Sequence, residues 1–332
     1  MIDRFFLLAT LIVARCVLAD TASPGHIERI DPRIDELISV DAAIEIAAQD
    51  IHWAEGPLWD RQNDSLLFSD VPRNGVYRWV PGKPVELFVS RSGYSGRTAF
   101  SGQEPGSNGL TFDREGRLVM AQHGDRGIAR RERDGRLIVL VSRYQGRRLN
   151  SPNDLVYGSN GDLYFTDPPF GLAGTFDDPV REIAFQGIYR LRRNGTLQAL
   201  VTDLDAPNGI AFSPDERTLY VSNATEARPV WMAYPVDTDG SLGEGRQFAE
   251  ARAYVTPRSG LPDGLKSDRF GNLFAAGPGG VHIFAADGTR IGRIVTGVPT
   301  GNVAWGEDGS VLYIAANHRI LRLQTMTSGE LP

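Results

Sequence analysis

The chain has 332 residues, 41% of them hydrophobic, and a formal net charge of −6. That is enough apolar material for a substantial core, and the acidic balance excludes the basic footprint of a nucleic-acid-binding protein. Glycine (37) and proline (20) are frequent without the excess that marks low complexity.

In chain order, residues 5–14 are an apolar run behind Arg4, and Val17-Leu18-Ala19 fits the small-residue cleavage rule. Residues 1–19 are therefore expected to be an export signal, which predicts a periplasmic or secreted protein. The run is too short for a bilayer span, so no stable membrane span is expected after cleavage. Cleavage would remove Cys16, the sole cysteine, so neither a disulfide nor a thiolate metal site is expected. Residues 20–42 form an N-terminal extension. Ile27, Ile30, Ile34 and Leu37 recur there at helical spacing, which predicts a short surface helix.

From residue 43 to 325 one pattern repeats. Glu55-Gly56-Pro57-Leu58-Trp59 is followed by Leu66-Leu67-Phe68 and then Gly75-Val76-Tyr77, and the same order restarts at 108, 153, 208, 263 and 302. Repeats of this length with several short strands mark a propeller. The strands are bounded by Arg-Glu-Gly, Ser-Asn-Gly, Arg-Phe-Gly and Glu-Asp-Gly turns, which suit tight hairpins. A fourth strand is predicted in most units, as at 138–141, 198–201 and 293–296. The expected fold is all-β, a six-bladed β-propeller with four antiparallel strands per blade. The last unit lacks a fourth strand, and residues 43–47 supply the pattern of one. An N-terminal strand is thus predicted to close the last blade and remove the open edge. Residues 326–332 are left as a C-terminal tail.

Each unit opens on a carboxylate or carboxamide: Glu55, Asn108, Asn153, Asn208, Asp263 and Asn302. Asn and Asp are depleted in strands, so a shared position ahead of each innermost strand predicts six oxygen-bearing side chains converging on the axis. Hard oxygen ligands with two negative charges suit a divalent cation. Calcium tolerates irregular geometry best, with zinc, manganese or magnesium as substitutes. No G-x-S-x-G elbow, Walker A loop or H-E-x-x-H pair is present. His123 ends a second strand and is a candidate to face the pocket, and His52 lies close in sequence to Glu55. Asp70, Asp167 and Asn223 share the ends of second strands and read as hydrogen-bonders that stabilise their blades.

The segments Trp53-Ala54-Glu55-Gly56-Pro57-Leu58-Trp59, Ser151-Pro152-Asn153-Asp154-Leu155, Phe165-Thr166-Asp167-Pro168-Pro169-Phe170-Gly171, Pro207-Asn208-Gly209 and Pro262-Asp263-Gly264 resemble the gluconolactonase branch of the SMP-30/gluconolactonase/regucalcin-like family. The resemblance implies a six-bladed propeller with one axial metal that hydrolyses a sugar lactone. It implies Glu55, Asn153, Asn208 and Asp263 as metal ligands, Asn153 also as a substrate contact, and Asp263 as general base. Ser151 stands where regucalcin-type members carry an arginine, so no arginine contact carries over. Asn108, Asn302, Asp154 and His123 are candidates for the substrate's hydroxyls. The rival expectations are a hydrolase of another lactone or a phosphotriester, and a non-catalytic calcium- or ligand-binding propeller. Oligomeric state is not legible in the sequence.

Overall fold

A computed structural model describes residues 23–332; the expected export signal lies outside the described residues. Six four-stranded antiparallel units follow one another around a ring, numbered here blades 1 to 6 in chain order. Their innermost strands are Ala54–Asp60, Ser107–Phe112, Leu155–Tyr157, Pro207–Phe212, Leu265–Ser267 and Asn302–Gly306. The hairpin turns carry the predicted glycines, and Gly116, Gly161, Gly271 and Gly309 all have positive φ, which a side chain would resist. No helix among the described residues is long and apolar enough to cross a membrane.

Each pair of neighbouring blades encloses its own apolar cluster. Leu58, Leu67 and Met120 fill the space between blades 1 and 2. Phe68, Trp79 and Tyr313 fill that between blades 6 and 1, where Trp59 stacks on Tyr313 with ring centroids 5.5 Å apart. Trp231, Phe248 and Phe284 do the same between blades 4 and 5. Burying each such side chain contributes about 1.5–3 kcal/mol. The stabilising surface is therefore spread around the ring rather than gathered in one centre.

Ring closure follows the expectation. Ile44–Ala48 pairs antiparallel with Arg319–Gln324 as the outer strand of blade 6. The fourth strands at Leu137–Val141, Leu197–Leu204 and Arg290–Val295 are also as expected.

The predicted helix in the N-terminal extension is not formed. His26–Arg29 is instead a strand added to the outer edge of blade 5, paired with Arg290–Val295, and only a 3-10 turn, Pro32–Glu36, follows. Asp31 caps that turn by accepting from the Arg33 backbone N–H at 3.0 Å. The helical spacing came from two different packing events: Ile34 and Leu37 are buried, whereas Ile30 is 49% exposed. Asp70, Asp167 and Asn223 do stabilise their blades. They accept from the backbone N–H of His52, Asn150 and Ala206 at 3.0, 2.8 and 2.9 Å, tying down the chain just before each inner strand.

Candidate functional site at one mouth of the channel

All six inner strands run the same way, so the residues that open each unit meet at one mouth of the central channel. Four of them lie within their strands, not before them: Glu55, Asn108 and Asn208 are second residues and Asn302 is the first. In blades 1, 2 and 4 the pairing register slips just after this residue, between Glu55 and Leu58, Ser107 and Leu110, and Pro207 and Ile210. A bulge of this kind bends the strand and re-aims a side chain. In blades 3 and 5, Asn153 and Asp263 precede the strand by two residues, as expected.

The ring is closed by contacts between successive blades. Ser69 Oγ donates to Asn108 O (2.9 Å), Gly109 N to Asn153 O (2.7 Å), Thr166 Oγ1 to Asn208 O (2.6 Å) and Gly264 N to Gly301 O (2.7 Å). Packing leaves no room for side chains at the intervening glycines. A Cβ on Gly209 would overlap the backbone of Asp263, one on Gly264 the side chain of Asn302, and one on Gly301 the carboxylate of Glu55. The segments carrying Glu55, Asn108, Asn153, Asn208, Asp263 and Asn302 thus succeed one another around the ring, joined by these backbone and glycine contacts.

Glu55, Asn108, Asn153, Asn208 and Asn302 are almost fully buried, whereas Asp263 keeps partial access to solvent. The side-chain oxygens of Asn108 and Asn208 are buried with no hydrogen-bond partner among the described residues, which costs about 1–3 kcal/mol each unless something else satisfies them. Burial pushes the Glu55 carboxyl up to about 8, helped by the nearby charges of Asp154 and Glu104. Dense packing around the Asp263 carboxyl raises it well above the usual carboxylate range, helped by Glu55 and Asp154. The Gly56 and Gly264 backbone N–H groups donate to these two carboxylates at 3.1 and 3.0 Å and offset only part of that. Among the described residues neither Glu55 nor Asp263 has an ion-pair partner.

Asp154 is the residue whose role the sequence concealed. From blade 3 its Oδ2 accepts from Ile210 N of blade 4 (3.3 Å) and lies 3.5 Å from Asn302 Nδ2 of blade 6. It therefore bridges the axis beneath the ring, rather than lining the mouth. Asn302 is held on both sides, donating to Asp154 and accepting from Val303 N at 2.9 Å. Both ends of its amide thus have partners within the protein. His52 is exposed and contributes to the site only its backbone contact to Asp70. His123 is fully buried, with its Nδ1 3.0 Å from Glu104 Oε2.

Among the described residues no three His, Cys, Asp or Glu side chains come together as a metal-binding group. A cation at this mouth would have to draw on the carboxamides as well as on Glu55 and Asp263.

Residues 53–318 match the SMP-30/Gluconolactonase/LRE-like region. The chain belongs to this family. It is 40% identical to a gluconolactonase of Zymomonas mobilis over 316 residues, covering 92% of this chain and 87% of that protein. It is 30% identical to a pentonolactonase of Haloferax volcanii, covering 78% and 80%. Among solved structures, a gluconolactonase of Xanthomonas campestris superposes with a TM-score of 0.77 at 33% identity, covering 90% of this chain and 94% of that one.

Proposed function

We propose that the chain hydrolyses a sugar lactone of the glucono-1,5-lactone type to its aldonic acid, with a divalent cation held at the channel mouth. What supports this reading is the set of oxygens that the ring brings to one mouth: the carboxyls of Glu55 and Asp263, both raised first by burial and Asp263 also by Glu55, and the buried side-chain oxygen of Asn208, which has no hydrogen-bond partner among the described residues. Such a donor set, all oxygen and no thiolate or imidazole, fits a hard dication, and calcium before magnesium because separate blades impose irregular geometry. The names of the relatives support the lactone as substrate class.

Glu55, Asn153, Asn208 and Asp263 would hold the cation. When bound, it would supply Lewis acidity toward the lactone carbonyl. The rest falls to the chain's own groups. Asp263, the acid of the ring with access to solvent, takes a proton as water adds to the carbonyl carbon. The ring C–O bond then breaks, and the same proton goes to the departing ring oxygen, leaving a carboxylic acid and a free hydroxyl. Asn153 and Asn108 orient the substrate. Asn302 acts one step back, holding Asp154 in place across the axis. Export, supported by the sequence of residues 1–19 alone, would place this reaction in the periplasm or outside the cell.

The test is a pH-stat assay on glucono-1,5-lactone before and after chelation, with calcium, magnesium, manganese and zinc added back. Acid release abolished by chelator and restored by calcium is the expected result. Turnover indifferent to chelator would remove the cation from the reading, and no turnover of any lactone would leave a binding propeller.

A further inference from the structure

His123 and Glu104 form a pair at the same mouth that neither the ring pattern nor the fold requires. The His123 ring is fully buried, and neither of its nitrogens has an aligned hydrogen-bond partner among the described residues. Its backbone is pinned by donation from His123 N to Gly106 O at 3.1 Å. Gly171 packs so closely on it that a Cβ there would come within 2.5 Å of the His123 Cβ. The ring therefore has little freedom to turn away. Glu104 Oε2 approaches Nδ1 at 3.0 Å, its side chain one-third exposed. Its charge is among those that raise both Glu55 and Asp263, so it lies near the axial carboxylates. A buried imidazole with an orphaned nitrogen is expensive unless a ligand completes it.

We propose that Glu104 is a positioning residue that keeps the proton of His123 on Nδ1, so that Nε2 accepts a hydrogen bond from a ring hydroxyl of the lactone; this rests on the lactone-hydrolase reading above. A carboxylate beside one imidazole nitrogen favours the proton there and leaves the other as an acceptor. The pair would then select for a hydroxylated ring without taking part in opening the ester.

Two measurements on the full-length chain test this. The first reads the histidine tautomer by side-chain nitrogen NMR at a pH where the ring is neutral. The wild type should carry the His123 proton on Nδ1, and Glu104→Ala should shift it toward Nε2. The second compares glucono-1,5-lactone with δ-valerolactone, which has no ring hydroxyl. Glu104→Ala should raise KM for the hydroxylated lactone about tenfold with kcat nearly held. Its loss on δ-valerolactone should be at least about fivefold smaller, and Glu104→Gln, which still offers an acceptor to Nδ1–H, should recover most of the affinity. Equal losses on both lactones, or a tautomer the same in wild type and Glu104→Ala, would overturn the proposal. A wild type that spares both lactones would sink the hydrolase reading instead, and the NMR comparison would still judge the tautomer.

Discussion

The two mouths of the channel are built from the same residue types and behave in opposite ways. At the far mouth, Asp60, Asp113 and Asp268 end or follow inner strands, and each is fully engaged. Asp113 accepts from Glu115 N, Arg117 N and Arg117 Nε at 2.8–3.0 Å. Asp268 accepts from Phe270 N, Asn272 N and Thr327 Oγ1 at 2.8–2.9 Å. Between them lies a cavity of about 380 Å³ lined by apolar side chains such as Leu58, Leu110, Phe212 and Trp305, with the C-terminal residues Leu331 and Pro332 across it. At the near mouth, Glu55, Asn108 and Asn208 are buried and Asp263 is half-buried; each carboxylate accepts one backbone N–H, and the Asn108 and Asn208 side-chain oxygens have no partner among the described residues. An Asp in a turn finds backbone N–H groups two residues on, whereas the Asn side chains re-aimed by the bulges of blades 2 and 4 leave their oxygens without such donors among the described residues. The difference separates acids whose oxygens are used by the fold from those on which the proposed site draws.

The comparison breaks first at the acids. Glu55→Gln and Asp263→Asn should each cut lactone turnover by at least about a hundredfold, the scale of losing an electrostatic or acid–base contributor, while Asp268→Asn leaves it near wild type. A pH-stat assay of the three side by side would show it, and an active Glu55→Gln variant would make the two mouths equivalent. Next come the glycines. Gly264→Ala forces a Cβ into the Asn302 side chain and should cost more than about 3 kcal/mol or abolish soluble expression. Gly195→Ala, at φ +84 with open space around it, should cost only about 1 kcal/mol. Urea melts read both.

A third test separates the axis from the body of the blades. Burial, and then the charge of Arg290, hold His282 down to about 3, with Pro278 O at 3.1 Å from Nε2. Its folded value lies below the ordinary 6.5, so the unfolded chain takes up a proton that the fold refuses. Stability should therefore fall as pH drops from about 6.5 toward 3, and His282→Phe should flatten that limb. The smallest effect is expected at Thr327→Val, which removes one bond to Asp268 and should cost about 1 kcal/mol without touching turnover.

Much of this was legible in the sequence because it repeats. A strand pattern recurring six times predicts blades, and the missing fourth strand at the end points to its supply from residues 43–47. What was hidden lacks a counterpart in other units. Asp154 sits beside Asn153 and looks like its companion, yet it alone reaches across to blade 6, and only the closed ring reveals that. Glu104 lies in a loop with no equivalent elsewhere in the repeat. The N-terminal extension misled because Ile27, Ile34 and Leu37 are apolar for separate reasons, one in an added strand and the others within and capping a proline-started turn. The bulges after Glu55, Ser107 and Pro207 leave no mark in the apolar pattern, since glycine or proline there is also an ordinary turn signal.

The first two strands of the described residues belong to the last two blades. His26–Arg29 lies on blade 5 and Ile44–Ala48 completes blade 6, so during synthesis both must wait, unpaired, until residues 290–324 have left the ribosome. Pairings this distant in sequence are slow to form. Glu55 meets Gly301 only when the circle shuts. A chain that stopped before residue 290 would hold several finished blades and yet no closed channel mouth.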